Sequence, residues 1–279
     1  MKPSRVLIKL GGASLQDDAI CGEITSALKQ YLRYGYQVTM VHGGGPAINA
    51  ELTRRGITWS FVQGQRVTTP EMMDVIEMVL SGSINKKLVR YMNSNGLPAV
   101  GFSGVDRQTL QCHASSEELG LVGTIDHVEA NWLNSFVKPD QNTIPVISPI
   151  GCGKAGESYN INADWAASSL AIKQGVSYLV FLTDQEGILN ENKRLVTHLT
   201  AQDLREMLTR EVVTGGMATK VRAILHALDG GVEHVRVMNA KSTVHGLWSN
   251  NVGTWCTRES VAAEEAADSF EESLQHACI

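Results

Sequence analysis

The feature that most constrains this chain is a unit that occurs twice near its start: a short apolar strand, a glycine turn and the beginning of a helix. Residues 6–10 (Val-Leu-Ile-Lys-Leu) are apolar apart from one lysine, and Gly11-Gly12 follows at once. Residues 37–41 read as a second strand, closed by His42-Gly43-Gly44-Gly45-Pro46. Such residues suit a buried, pleated strand. Asp17 or Asp18 caps a helix after the first turn, stopped by Gly35, and 47–54 reads as the helix after the second. Strands alternating with helices argue for a parallel α/β sheet, whose ligands bind outside the carboxyl ends of the strands. Both glycine turns fall at that edge. Lys9 brings a compact positive charge, and glycines let backbone N–H groups approach an anion. Alone, this pattern is equally compatible with a solvated lysine beside a turn.

Further along, 57–69 reads as irregular and carries Gly64-Gln65-Arg66-Val67-Thr68-Thr69. Pro70 opens a helix at its favoured first position, expected to run to about Asn93. Its first half (Met72, Met73, Val75, Ile76, Met78, Val79, Leu80) is too apolar for one stripe, which points to a subunit interface or a deep core. Strands are expected over 98–102 and 143–148, a hairpin from 109–113 and 121–128, a short helix over 131–137 and a flexible loop over 151–156. Tyr159-Asn160-Ile161-Asn162-Ala163-Asp164 leads into a helix to about 174. A strand over 178–182 ends in Thr183-Asp184, and Thr200 caps a helix to about 209. Gly215-Gly216-Met217 precedes Lys220 and a helix to 228. The pattern closes with a strand over 234–238 and a last edge strand over 253–256. Beyond Arg258 the chain turns acidic, with Glu259, Glu264, Glu265, Asp268, Glu271 and Glu272 among alanines.

Composition narrows the function. The net charge is −5 and there is no long basic run, so nucleic-acid binding is not expected. No stretch approaches the roughly 20 apolar residues of a membrane span, and the N-terminus does not read as a signal peptide. The cysteines are odd in number (Cys21, Cys112, Cys152, Cys256, Cys278) and form no CxxC pair. A disulfide framework or zinc site is therefore not expected, and a reducing cytoplasm is the simplest setting.

No GxxxxGK[ST] loop, Rossmann fingerprint or HRD-type kinase loop occurs. Instead Lys9 and Lys220 each stand near paired glycines, and Asp164 opens a helix between them behind two asparagines. Phosphoryl transfer is catalysed mainly by positioning and electrostatics. Two lysines, two sets of N–H donors and one carboxylate to hold the lysines suffice for it. At this point the sequence resembles the amino acid kinase superfamily, from Ile8 to about Thr254. The motifs, in order, are Lys9-Leu10-Gly11-Gly12, His42-Gly43-Gly44-Gly45-Pro46, Gly64-Gln65-Arg66-Val67-Thr68, Leu119-Gly120-Leu121-Val122-Gly123, Ile144-Pro145-Val146-Ile147, Tyr159 through Asp164, Thr183-Asp184 with Gly187, and Gly215-Gly216-Met217 with Lys220.

Within that superfamily the chain is similar to members that pass the γ-phosphoryl group of ATP to the side-chain carboxylate of N-acetyl-L-glutamate, in arginine biosynthesis. The resemblance implies a three-layer α/β/α sandwich with a mainly parallel open sheet. It implies an acceptor lobe at about 1–180, a nucleotide lobe at about 181–258, and 259–279 as an added acidic tail. Lys9 and Lys220 would neutralise the transferring group from the acceptor and ADP sides, and Asp164 would orient both. Gly12 and Gly44 would donate N–H groups to it, with Gly11 and Gly45 shaping the turns. Arg66 would pair with the substrate α-carboxylate and Asn160 would bind nearby. Asp184, Gly215, Gly216 and Met217 would border the nucleotide, and Mg2+ would be held mainly by phosphates and water, with no protein metal site. A carboxylate acceptor, with a pKa near about 4.3, is already ionised and needs no general base. His42 reads as structural, and Asn162 and Asp184 have plain alternatives as a helix cap and a turn former.

The chain departs from the family over 239–251, which lacks the Asp-Gly-Arg of many members, and it keeps only the closing Gly253-Thr254. It reaches its first strand within about four residues, whereas arginine-inhibited members carry an extra N-terminal helix. The expectation is a homodimer without arginine feedback. An acceptor attached to a carrier protein would need a basic rim, for which Arg54, Arg55 and Arg66 are available. A non-catalytic sensor would have no need of Lys9, Asp164 and Lys220 together.

Overall fold

In a computed structural model of the chain, residues 5–62, 64–136, 143–242 and 252–259 are described. Strand β1 (Arg5–Leu10) passes through the first glycine turn into α1 (Asp18–Arg33), capped by the Asp17 carboxylate. Strand β2 (Gln37–His42) and α2 (Gly45–Arg54) repeat the unit. The stretch expected to be irregular contains a small hairpin, β3 (Phe61–Val62) with β4 (Gln65–Arg66). Thr69 caps α3 (Pro70–Glu77), a π-helical segment follows over Met78–Ile84, and α4 (Asn85–Ser94) continues from it. The expected long helix is therefore interrupted in winding but not in path.

Next come β5 (Ala99–Ser103), β6 (Leu110–Ala114), β7 (Gly123–Val128) and β8 (Ile144–Ser148), with a 3-10 turn over Asn131–Ser135. The stretch read as a flexible loop is a hairpin turn instead. Strands β9 (Ile150–Cys152) and β10 (Ser158–Asn160) pair antiparallel around it, with the Gly153 N–H on the Glu157 carbonyl. The chain finishes with α5 (Ala163–Gln174), β11 (Tyr178–Thr183), β12 (His198–Thr200), α6 (Ala201–Thr209), α7 (Gly215–Asp229), β13 (His234–Asn239) and β14 (Thr254–Thr257).

The main sheet has eight strands in the order β12-β14-β13-β11-β1-β2-β8-β5. From β13 to β5 all neighbours are parallel, while β14 runs antiparallel to β13. The last strand is thus interior, not an edge. Thr254 fixes it there, donating its hydroxyl to the Val196 carbonyl at 2.6 Å and accepting the Ile188 N–H at 2.8 Å. The true edge is β12, too short to leave a sequence pattern.

Alternation along the strands sorts the layers. Val6, Ile8 and Leu10, with Met40 and Val180, pack against Ile24, Leu28 and Tyr31 of α1 and Leu88 and Met92 of α4. Leu7, Val41, Phe181 and Val237 face the other way, against α5, α6 and α7. Helices on both faces of a mainly parallel sheet make the α/β/α sandwich expected from the sequence. The apolar half of α3 packs inside the chain: Met72, Met73, Val75 and Ile76 meet Ile48, Leu52 and Ile150. These four residues fit the deep-core alternative, while Met78, which follows them, is exposed. Cys112, Cys152 and Cys256 are free and buried, and Cys21 is buried as well. Among the described residues no helix is long and apolar enough to cross a membrane. The acidic stretch beyond 259, Cys278 and most of the divergent 239–251 segment lie outside the described residues.

Candidate active site

Lys9 shares the parity of Leu7, so β1 delivers its side chain to the face covered by α5 and α7. Asn162 caps α5 by accepting the N–H of Asp164 and Trp165, which puts Asp164 in the first helical turn. Lys220 lies on the second turn of α7. The three meet: Lys9 Nζ is 2.7 Å from Asp164 Oδ1 and Lys220 Nζ is 2.8 Å from Asp164 Oδ2. They are only 8, 8 and 7 % exposed.

Burial works to raise the Asp164 pKa, but the charges of Lys9 and Lys220, and hydrogen bonds from both, hold it below its ordinary value. Burial pushes Lys220 below the usual lysine range and Lys9 adds to that, with Asp164 partly opposing. Two cations on one carboxylate leave a net positive charge in a poorly solvated place. Such a site attracts an anion strongly.

The two glycine turns face each other beside this triad. The N–H of Gly11 bonds to the Leu182 carbonyl at 2.9 Å and that of Gly43 to the Leu10 carbonyl at 2.8 Å. These bonds extend the sheet pairing and draw the turns together. A Cβ on Gly12 would lie 2.8 Å from both the Cα and the N of Gly44, so a side chain at 12 would cover the Gly44 N–H. Among the described residues neither the Gly12 nor the Gly44 N–H has a protein acceptor. Both are donors of the kind that backbone anion sites use.

Two cavities open on either side and share Asp164. One, of about 380 Å³, is lined by Lys9, Gly12, Gly44, Gly45, Arg66, Asn160 and Asp164. The other, of about 660 Å³, is lined by Asp164, Thr183, Asp184, Gly216, Met217 and Lys220. Gly11 and Gly215 line neither. Gly11 forms the turn, and Gly215 opens α7, whose cap residue Thr214 makes no side-chain bond to its first amides. Unsatisfied amides at a helix start favour phosphate. Asp184 accepts the Thr183 hydroxyl at 3.1 Å at the border of the larger cavity.

Arg66 closes the far end of the smaller cavity. Its Nη2 donates to Asn49 Oδ1, and its guanidinium lies 5.1 Å from the ring centre of Trp59 and 4.7 Å from that of Phe61. Its Nη1 is buried with no partner among the described residues. A fixed, desolvated guanidinium with one free nitrogen suits a carboxylate ligand. Asn160 Nδ2 donates to Thr68 Oγ1 at 3.1 Å, holding the adjacent wall. Asn49, Trp59 and Phe61 were not singled out by the sequence reading. The alternation of Ile57, Trp59 and Phe61 with the polar Thr58 and Ser60 was the available signal. Lys193, also at the larger cavity, sits in a turn at φ 57° and left none.

The plainer readings hold for two residues. Asn162 is a helix cap. His42 is wholly buried, with both ring nitrogens engaged, and burial lowers its pKa to about 4, so it is no general base. Among the described residues no three His, Cys, Asp or Glu side chains cluster as a metal site. Arg54 and Arg55 are both paired with Glu51 and do not form a free basic rim.

The amino acid kinase family profile matches residues 4–239. The chain is 39% identical over 251 residues to an acetylglutamate kinase of Geobacillus thermodenitrificans, covering 90% of this chain and 93% of that one. A solved protein of Streptococcus mutans superposes with a TM-score of 0.80 at 24% identity, covering 91% of this chain and 99% of its own. A carbamate kinase of Giardia superposes at 0.71 with 17% identity, covering 93% and 100%. At those identities the two structures speak to the fold alone.

Proposed function

The chain belongs to the amino acid kinase family, and from that premise we propose that it transfers the γ-phosphoryl group of ATP to the side-chain carboxylate of N-acetyl-L-glutamate, in arginine biosynthesis. The observation that carries this reading is the junction of two cavities at Lys9, Asp164 and Lys220. The smaller cavity takes the acceptor, with the α-carboxylate on the free nitrogen of Arg66 and the reacting carboxylate near Lys9. The larger takes the nucleotide, with its phosphates toward the start of α7. An acceptor oxygen attacks the γ-phosphorus, the new O–P bond gives an acyl phosphate, and the bond to the ADP oxygen breaks. Lys9 offsets charge on the entering side and Lys220 on the leaving side. The Gly12 and Gly44 N–H groups receive the oxygens in flight.

Asp164 holds the lysines apart and aimed. It has no proton to move, because it is ionised and both its oxygens are occupied. Mg2+ would offset phosphate charge, with Asp184 as the carboxylate at the nucleotide cavity free to assist and most ligands from phosphate and water. The acceptor lobe would span about 1–180 and the nucleotide lobe about 181–258. Among the described residues, the larger cavity is lined, apart from Asp164, from Thr183 to Lys220, which supports that division. The reading carries a homodimer in a reducing cytoplasm, a setting the buried free thiols suit.

The test is a hydroxylamine trap for acyl phosphate over a panel of N-acylated and free acidic amino acids. ATP-dependent hydroxamate from N-acetylglutamate is expected. Hydroxamate from another acid alone would replace the acceptor, and none from any acid would favour a non-catalytic role. A carrier-linked acceptor is disfavoured by the pairing of Arg54 and Arg55 with Glu51.

A further inference from the structure

The peptide joining Gly43 to Gly44 is planar, so its carbonyl oxygen and its N–H point in opposite directions. Whatever holds the Gly43 oxygen also aims the Gly44 N–H. The holder is the imidazole of His42, whose Nδ1 lies 3.0 Å from that oxygen. A carbonyl only accepts, so Nδ1 carries the proton and Nε2 is left as an acceptor. Nε2 receives Asn85 Nδ2 at 3.2 Å.

Asn85 is itself held in one orientation. Its Nδ2 also lies 2.9 Å from the Val146 carbonyl and 3.3 Å from the Phe102 carbonyl, on β8 and β5. Its Oδ1 accepts Lys86 Nζ at 3.1 Å. Turning the amide over would set its oxygen against two carbonyls and its NH2 against an ammonium. Both side chains are wholly buried, where polar groups are kept only if bonded. On the same turn, a Cβ at Gly44 would come within 2.5 Å of Leu80 and Ile84, both in the π-helical segment that delivers Asn85.

We infer that His42 and Asn85 are positioning residues for phosphoryl transfer: Asn85, anchored on two strands, fixes the His42 tautomer, and His42 holds the Gly43 carbonyl so that the Gly44 N–H faces the transferring group. The inference rests on the role given above to the Gly44 N–H. Burial, which disfavours imidazolium, keeps the ring neutral over the working pH range.

Two substitutions dissect the imidazole. Asparagine places an N–H where Nδ1 stands, and glutamine places one where Nε2 stands. His42→Gln should lower kcat by about 10- to 100-fold with the acceptor KM within about threefold, as for loss of a donor aimed at the transition state. His42→Asn should recover most of that loss. Binding of ADP with aluminium fluoride and magnesium should weaken in His42→Gln in step with kcat. Equal turnover of the two variants, at any level, overturns the inference. The unaltered protein provides a reading that does not depend on how the variants fold. Its 15N-histidine spectrum should show His42 protonated at Nδ1 and bare at Nε2, and the opposite tautomer overturns the inference. Failure of the unaltered protein to phosphorylate N-acetylglutamate would instead remove the acceptor assignment and leave the tautomer result standing.

Discussion

Asp164 faces two lysines with one carboxylate, and that ratio sets what each substitution does. Asp164→Asn leaves two buried ammonium groups without a counter-charge. Breaking a buried ion pair by removing one partner costs about 3–5 kcal/mol, so denaturant unfolding should show a loss of that order along with lost turnover. The pH dependence follows from the same contacts. Asp164 titrates below its ordinary 3.8 in the folded protein. Its contribution to stability is therefore present above that value and fades as pH falls through the folded pKa. The variant should lose less stability over that acid range than the parent does. Lys220 titrates below its ordinary 10.5, so kcat should fall on the alkaline side earlier than an ordinary lysine would dictate. Lys220→Ala should lower kcat by about 100- to 1,000-fold and leave acceptor KM nearly unchanged. An equal effect on both would contradict its place on the leaving-group side. Arg66→Lys should do the reverse, raising acceptor KM about tenfold or more with kcat largely kept, because an ammonium cannot replace a planar guanidinium packed against two rings.

The glycine turns differ in how much a side chain disturbs them. A methyl at 12 meets backbone of the second turn, which cannot swing aside, whereas one at 44 meets the ends of Leu80 and Ile84. Gly12→Ala should therefore be severe and beyond rescue. Gly44→Ala should recover activity when combined with Leu80→Ala and Ile84→Val, which clear both contacts, in a comparison of the single and combined variants. These turns were legible in the sequence because strand, glycine pair and helix cap agree within a few residues. Lys9, Asp164 and Lys220 were legible for a similar reason, each standing at the end or start of an element. The π-helical winding was not, since it shifts the ladder without changing which residues are apolar. The 151–156 stretch misled through its glycines. Gly151 sits in a strand, where a Cβ would lie 2.3 Å from Cys112 Sγ, so the residue marks close packing and not looseness. The position of β14 depends on pairing with β12 across the chain, which no local pattern encodes.

At the scale of the whole molecule, two cavities meet at one triad whose carboxylate, Asp164, is ion-paired to both lysines and so is not free to attack phosphorus. Direct transfer requires both substrates bound together. Initial rates over both substrates should give intersecting double-reciprocal lines, and parallel lines would show a phosphorylated intermediate that this architecture does not provide.

The sheet order has a further consequence for how the protein is made. Strand β1 is synthesised well before β11, yet it lies at the centre of the sheet and β11 is one of its two neighbours. At about 5–20 residues per second, β11 follows β1 from the ribosome after on the order of ten seconds or more. Through that interval the margin of β1 that β11 will pair stays open, and until β8 emerges the far margin of β2 is open as well. Lys9 emerges early and gains its partners late, when Asp164 and then Lys220 arrive. Chaperone demand during translation should fall sharply once β11 has left the exit tunnel, and ribosome-bound chains halted before and after that point offer the comparison.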